Sequence, residues 1–209
     1  MDFVSRPSRW VFIVAATLVL LAPLAGAQDR RVVASTSWAA AFATAAGAAD
    51  VSIIAPLDLK HPPEYEIKPS DLETLRAADV VVYAGYERFA QRLVETSAQH
   101  AETVKITTVN TPAVIRAQTM LIAEALGTVE AREAWLKGFE QAIAAMRERV
   151  QAAYPSRRAA VQGFQKGFAE WLGFEVVATF GPAEPSPAVV AELVRSRPDV
   201  IIDNYHNPS

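Results

Sequence analysis

Three short runs of β-branched residues set the frame of this chain: Arg31 to Ser35 (RVVAS), Val51 to Ala55 (VSIIA) and Asp79 to Tyr83 (DVVVY). They are apolar at nearly every position rather than at every second one. A strand needs that composition only when both of its faces are covered, as in a parallel sheet. Helical stretches separate the runs. Ser37 stands where it can cap a helix over Trp38 to Ala46, and Gly47 stands where that helix should stop. Pro69-Ser70-Asp71 opens a second helix that runs to about Ala77, and Glu87 to Ser97 is amphipathic. Val104 to Val109 reads as a weaker fourth strand. Strand and helix alternating in this way predict βα units around a mostly parallel sheet.

The middle of the chain changes character. After Pro112 there is no proline up to Val150, and Ala, Leu, Glu, Arg and Gln dominate. Leu136, Phe139, Ile143 and Met146 recur at spacings of three and four, the helical period. Gly127-Thr128 should divide this stretch into two helices or kink one. Strand patterns then resume at Ala159 to Gly163, Glu175 to Phe180 and Val200 to Asp203. Helices are expected over about Gln165 to Leu172 and from Ser186-Pro187 to near Arg197. Ser followed by Pro is a strong helix start. The predicted fold class is therefore α/β, with two βα lobes of mostly parallel sheet joined by a helical connector and a cleft between them. The boundaries are an N-terminal lobe over 28–110, a connector over 111–155 and a C-terminal lobe over 156–209. The second lobe has only three strands and reads as truncated.

The first 27 residues are set apart. Arg6 and Arg9 precede Trp10 to Ala22, a run apolar at every position but Thr17; Pro23 ends it, and Ala25-Gly26-Ala27 gives small residues at a cleavage site. A spanning helix needs about 20 apolar residues, and this run is shorter. The expectation is a signal peptide cleaved after Ala27 and a protein of the periplasm. No Cys follows the run, so a lipid anchor has no attachment point; the chain has no cysteine at all, hence no disulfide and no thiolate ligand. Removing 1–27 leaves 18 basic and 22 acidic residues, a net charge of −4. A mildly acidic chain without basic clusters argues against nucleic acid as a partner.

Only three histidines are present: His61, His100 and His206. His61 comes after a strand, in the proline-rich loop KHPPEYEIKPSDL, and His206 comes after another, in IIDNYHNP. In open α/β sheets ligands bind beyond the C-terminal ends of strands, so both imidazoles stand where a cleft would form. His100 ends a polar segment and reads as a solvated residue. Imidazole is the commonest protein ligand for divalent transition metals, and carboxylates complete such sites. Glu64 and Glu66 are near His61, and Asp203 lies three residues before His206. On their own, two histidines so far apart in sequence are a weak metal signal, because histidine is commoner as an ordinary polar residue than as a ligand. Trp38 and Tyr65 are aromatics that could line the cleft or pack in the core.

The segment PPEYEIKPSDLETLRAADVVVYAGYE resembles the metal-specific solute-binding proteins of ABC importers, the zinc and manganese receptors. Pro62, Tyr65, Glu66, Pro69, Ser70 and Asp71 match that family's first loop. Ala78, Asp79, Tyr83 and Gly85 match its motif beyond the next helix. The second half, GFAEWLGFEVVATFGPAEPSPAVVAELVRSRPDVIID, is similar to the family's stretch leading to its last-ligand strand. The departures are specific. The family's first-loop histidine falls on Pro63, its second has no counterpart near Asn110-Thr111, and its third falls on Gln162. Its last acidic ligand matches Asp203.

The resemblance implies a non-enzymatic receptor that captures a divalent transition metal between two lobes and delivers it to an inner-membrane ABC permease. A displaced ligand set is expected: His61, Asp203 and His206, with Glu66 or Gln162 as fourth. Zinc is placed ahead of manganese because of the two imidazoles. A monomer is expected, with little lobe motion around the helical connector. The alternative keeps the scaffold but binds a metal chelate or another small ligand. Catalysis is not expected: there is no Gly-x-Ser-x-Gly elbow, no His-Glu-x-x-His and no phosphate-cradling glycine loop.

Overall fold

The computed structural model describes residues 30–59 and 61–204. The expected export signal over 1–27 and His206 lie outside the described residues. The first sheet consists of β1 (Val32–Ala34), β2 (Val51–Ile53), β3 (Val80–Tyr83) and β4 (Glu102–Lys105), in the order β2-β1-β3-β4. The second consists of β5 (Arg158–Gln162), β6 (Glu175–Phe180) and β7 (Val200–Ile202), in the order β6-β5-β7. Every pairing in both sheets is parallel. The fold is α/β with two βα lobes.

The all-apolar strands are explained by what lies on each side. Val32, Ala34, Val80 and Val82 face one core with Phe42 of α1 (Ser37–Ala45) and with Ile122 and Leu126 of α4 (Pro112–Leu126). Val33 and Val81 face a second core. It is built from Leu75 of α2 (Pro69–Ala77), Phe89, and Leu93 of α3 (Ala90–Ser97). Alternate side chains of one strand thus enter different cores. Each buried aliphatic side chain contributes about 1.5–3 kcal/mol. Replacing either alternate set with polar residues would open one face.

Two helices connect the sheets. Gly127 caps α4 at φ 73°, a left-handed conformation that suits glycine, and α5 (Val129–Ala153) comes next. The division expected at Gly127-Thr128 is therefore a full break. The bidentate Arg116–Glu140 pair, at 2.5 and 2.8 Å, ties α4 to α5. The buried Arg132 guanidinium reinforces it by donating to the Arg116 carbonyl at 2.7 Å and to the Thr119 hydroxyl at 3.2 Å. At its far end α5 brings Met146 and Val150 against the second lobe. There Ala159, Val161, Val200 and Ile202 pack on Ala169 and Leu172 of α6 (Lys166–Leu172). The last helix, α7 (Pro187–Ser196), has Ser186 as its N-cap with Pro at the first helical position.

Several element limits differ from the expectation. Thr36, not Ser37, caps α1: its hydroxyl accepts from Ala39 N at 3.3 Å. The fourth strand is Glu102–Lys105 rather than 104–109. Among the described residues its one strand neighbour is β3, and the register Val80↔Glu102 to Tyr83↔Lys105 ends where β3 ends. The third helix starts at Ala90 rather than Glu87, because the Glu87 side chain is engaged elsewhere.

Candidate functional site

In both lobes the strands run parallel, so each sheet has one edge where all C-termini emerge. That edge carries the candidate residues. His61 lies in the loop after β2 and is exposed. Its carbonyl accepts from Glu64 N at 3.0 Å, which starts a short 3-10 turn over Pro62–Glu64. The turn is held to the loop after β3: Arg88 N donates to the Pro63 carbonyl at 2.9 Å, and the Arg88 guanidinium lies 3.5 Å from Glu64. Tyr65 is next, half-buried, with its ring edge-on to Phe89 at 6.0 Å. Its hydroxyl donates to Asp71 at 2.8 Å, and Asp71 also accepts from Lys68 N at 2.7 Å at the start of α2. Burial first, and the Asp71 hydrogen bond second, push the Tyr65 phenol above its ordinary pKa. Tyr65 therefore packs and braces the loop, and Trp38 is half-buried against the first core. Glu66 is exposed.

Beneath this loop is a carboxylate that sequence reading did not single out. Glu87 is 4% exposed. Its Oε1 accepts from the Ser35 hydroxyl at 2.5 Å and from Ala84 N at 3.0 Å, and its Oε2 from Gly85 N at 2.5 Å. Ser35 is the first residue beyond β1, and Ala84 and Gly85 are the first beyond β3. One buried carboxylate thus collects donors from the C-terminal ends of two adjacent strands. The only signal in the sequence was an acid two residues after a glycine, and that pattern is too common to be read alone.

The second lobe presents Gln162 and Asp203. Gln162, the last residue of β5, is fully buried, and its Oε1 accepts from Phe164 N at 2.8 Å. Its oxygen caps the turn over Gly163–Gln165 that leads into α6. Asp203 lies just after β7 and is exposed; its Oδ1 accepts from Asn204 N at 2.7 Å. Among the described residues no three His, Asp or Glu side chains come close enough together to hold a metal ion. His61, Glu66 and Asp203 alone are thus not gathered into a closed cluster. His100 is exposed, as expected, and its Nε2 donates to the Leu75 carbonyl at 3.1 Å, a brace between the end of α3 and α2.

The second lobe touches the start of α4 through α6. A Cβ placed on Gly167 would come within 3.0 Å of the Thr111 methyl carbon. Thr111 caps α4 just after the first sheet, and Gly167 lies just after β5.

The zinc-uptake complex component A family (ZnuA, periplasmic) matches residues 32–163, which include the first sheet, the connecting helices and β5. The chain belongs to this family. Solved structures share its fold. FpvC of Pseudomonas aeruginosa in complex with Mn2+ is 20% identical with a TM-score of 0.62; the match covers 87% of this chain and 82% of that one. A ZnuA crystal structure is 19% identical with a TM-score of 0.60, over 81% and 78% of the two chains. The laminin-binding protein Lbp of Streptococcus pyogenes is 16% identical with a TM-score of 0.59, over 85% and 80%. No match to a curated protein is found. Membership of the ZnuA family agrees with the resemblance carried by the Pro62–Gly85 segment. At these identities the solved structures speak for the fold alone.

Proposed function

We propose that this chain is a non-enzymatic periplasmic receptor that holds a divalent transition metal between its lobes and hands it to an ABC permease. The observation that carries the reading is the placement of an exposed imidazole, His61, and an exposed carboxylate, Asp203. Both lie beyond the C-terminal ends of parallel strands, one in each lobe. Membership of the zinc-uptake family supports it. So does the range of similar structures described with Mn2+, Ni2+ and Cd. His61 and Asp203, with His206 three residues on, would replace part of the ion's water shell. Glu66 is the further oxygen donor within the same loop as His61. Gln162 is the weakest of the expected ligands, because its oxygen already caps the turn at Phe164. Mixed nitrogen and oxygen donors suit zinc and also tolerate manganese. Ligands must be unprotonated to bind, so acid should weaken capture.

Isothermal titration of the full chain with zinc and with manganese tests this. Saturable binding of one ion per chain, weakened by His61→Ala and by His206→Ala, is the expected result. No heat with either metal at micromolar concentration would end the metal reading.

A further inference from the structure

We propose that Glu87 is a positioning residue of the metal site, holding both ends of the loop that carries His61. The inference rests on the metal reading above and names the group that fixes where the imidazole stands. Glu87 is buried, and its two oxygens take three neutral donors: the Ser35 hydroxyl at 2.5 Å, Ala84 N at 3.0 Å and Gly85 N at 2.5 Å. The His61 loop starts just after β2. There Ala55 N donates to the Ser35 carbonyl at 3.0 Å, so the residue that gives Glu87 its hydroxyl also receives the start of the loop. The loop closes on the neighbour of Glu87 in the chain: Arg88 N donates to the Pro63 carbonyl at 2.9 Å.

Between these two bonds the chain has little core to lean on. Pro56, Leu57, Asp58, Leu59 and His61 are all exposed. The backbone bonds inside the loop are local: Leu59 N donates to the Pro56 carbonyl at 3.3 Å, and Glu64 N to the His61 carbonyl at 3.0 Å. Local turns shape such a segment, but its end points decide where it stands against the sheet. Those end points rest on two different strands, on Ser35 after β1 and on Arg88 in the loop after β3. Glu87 joins them. It bonds Ser35 directly, and through Ala84 and Gly85 it folds the β3 loop so that Arg88 N meets Pro63. A ligand side chain held in place before the ion arrives loses less freedom on binding. Groups one bond removed from the ligands commonly carry about ten- to hundred-fold of metal affinity.

Affinity for zinc and for manganese is measured by isothermal titration of the full chain, Glu87→Gln, Ser35→Ala, His61→Ala and the double variant Glu87→Gln/His61→Ala. Glu87→Gln should weaken binding at least about ten-fold. Ser35→Ala should weaken it less, because two donors remain on the carboxylate. In the His61→Ala background Glu87→Gln should have no further effect, since it acts through that imidazole. Ile122→Val separates positioning from stability. It thins the core on the opposite face of the sheet, so the urea midpoint should fall while the affinity stays at the wild-type value. Should Glu87→Gln fail to fold, Ser35→Ala and its double variant with His61→Ala carry the same comparison. Wild-type affinity in Glu87→Gln, an equal loss with and without His61, or a matching loss in Ile122→Val overturns the proposal while the metal reading stands. No binding of either metal by the full chain overturns the metal reading, and the proposal with it.

Discussion

The side-chain oxygen of Gln162 accepts the backbone N–H of Phe164 at 2.8 Å, so a fully buried amide at the end of β5 sets the course of the chain into α6. The bond closes a tight turn directly at the functional edge of the second lobe. A polar side chain with no exposure persists at such a place only if its hydrogen-bonding groups are satisfied. No buried side-chain nitrogen or oxygen among the described residues lacks a partner.

Gln162→Ala removes this cap and leaves a void at the strand end. It should cost about 2 kcal/mol of stability, read as a lower urea midpoint. Gln162→Glu keeps an acceptor for Phe164 N but buries a charge, and it should be at least as destabilising at neutral pH.

Glu87→Gln places an amide NH2 against one of three donors. A loss of about 2 kcal/mol is expected, because bonds to a charged acceptor are the strong ones and a buried donor is left facing a donor. Ser35→Ala removes one donor and leaves two, so about 1 kcal/mol is expected. The double variant should fall short of the sum of the two, since both act on one network. Urea denaturation of the four proteins gives the cycle.

Asp79 and Arg31 join the starts of β3 and β1. The carboxylate accepts from Arg31 N at 2.8 Å and from the guanidinium at 3.2 Å. The Arg31 side-chain bond first, then the Arg31 backbone bond, hold the Asp79 carboxyl below the ordinary carboxylate range, and the guanidinium is correspondingly raised. A carboxyl lowered in the folded state stabilises the fold above its unfolded pKa of about 4, and the benefit disappears as pH falls through the folded value. Asp79→Asn should therefore lower the urea midpoint at neutral pH, and its difference from wild type should close in strong acid. The pair is exposed, so the effect should be small and should shrink with salt.

Gly167 leaves no room at the lobe contact, where an added Cβ would stand 3.0 Å from the Thr111 methyl carbon. Gly167→Val should crowd the Thr111 methyl group, which has to give by a few tenths of an ångström. A loss of about 1 kcal/mol is expected, read as a lower urea midpoint. Adding Thr111→Ser, which removes the crowded methyl and keeps the capping hydroxyl, should recover most of it.

Much of this molecule could be read directly along the chain. Parallel strands buried on both faces leave runs such as VVV at 80–82, and Ser186-Pro187, Pro69 and Gly127 act through local backbone geometry that needs no partner. The order of elements, both lobes and the helical break came from these local signals alone. The position of His61 beyond a strand end came from the same reading, whereas Asp203 was expected to end its strand and stands one residue beyond β7. What the tertiary structure alone decided depends on contacts between residues far apart in sequence. The end of β4 was set by where β3 stops, and Glu87 left the third helix to bind Ser35, 52 residues away. Gln162 caps the turn into α6 because burial required its oxygen to find an N–H. Local patterns record backbone preference, but the partner of a buried polar group exists only once the chain has folded.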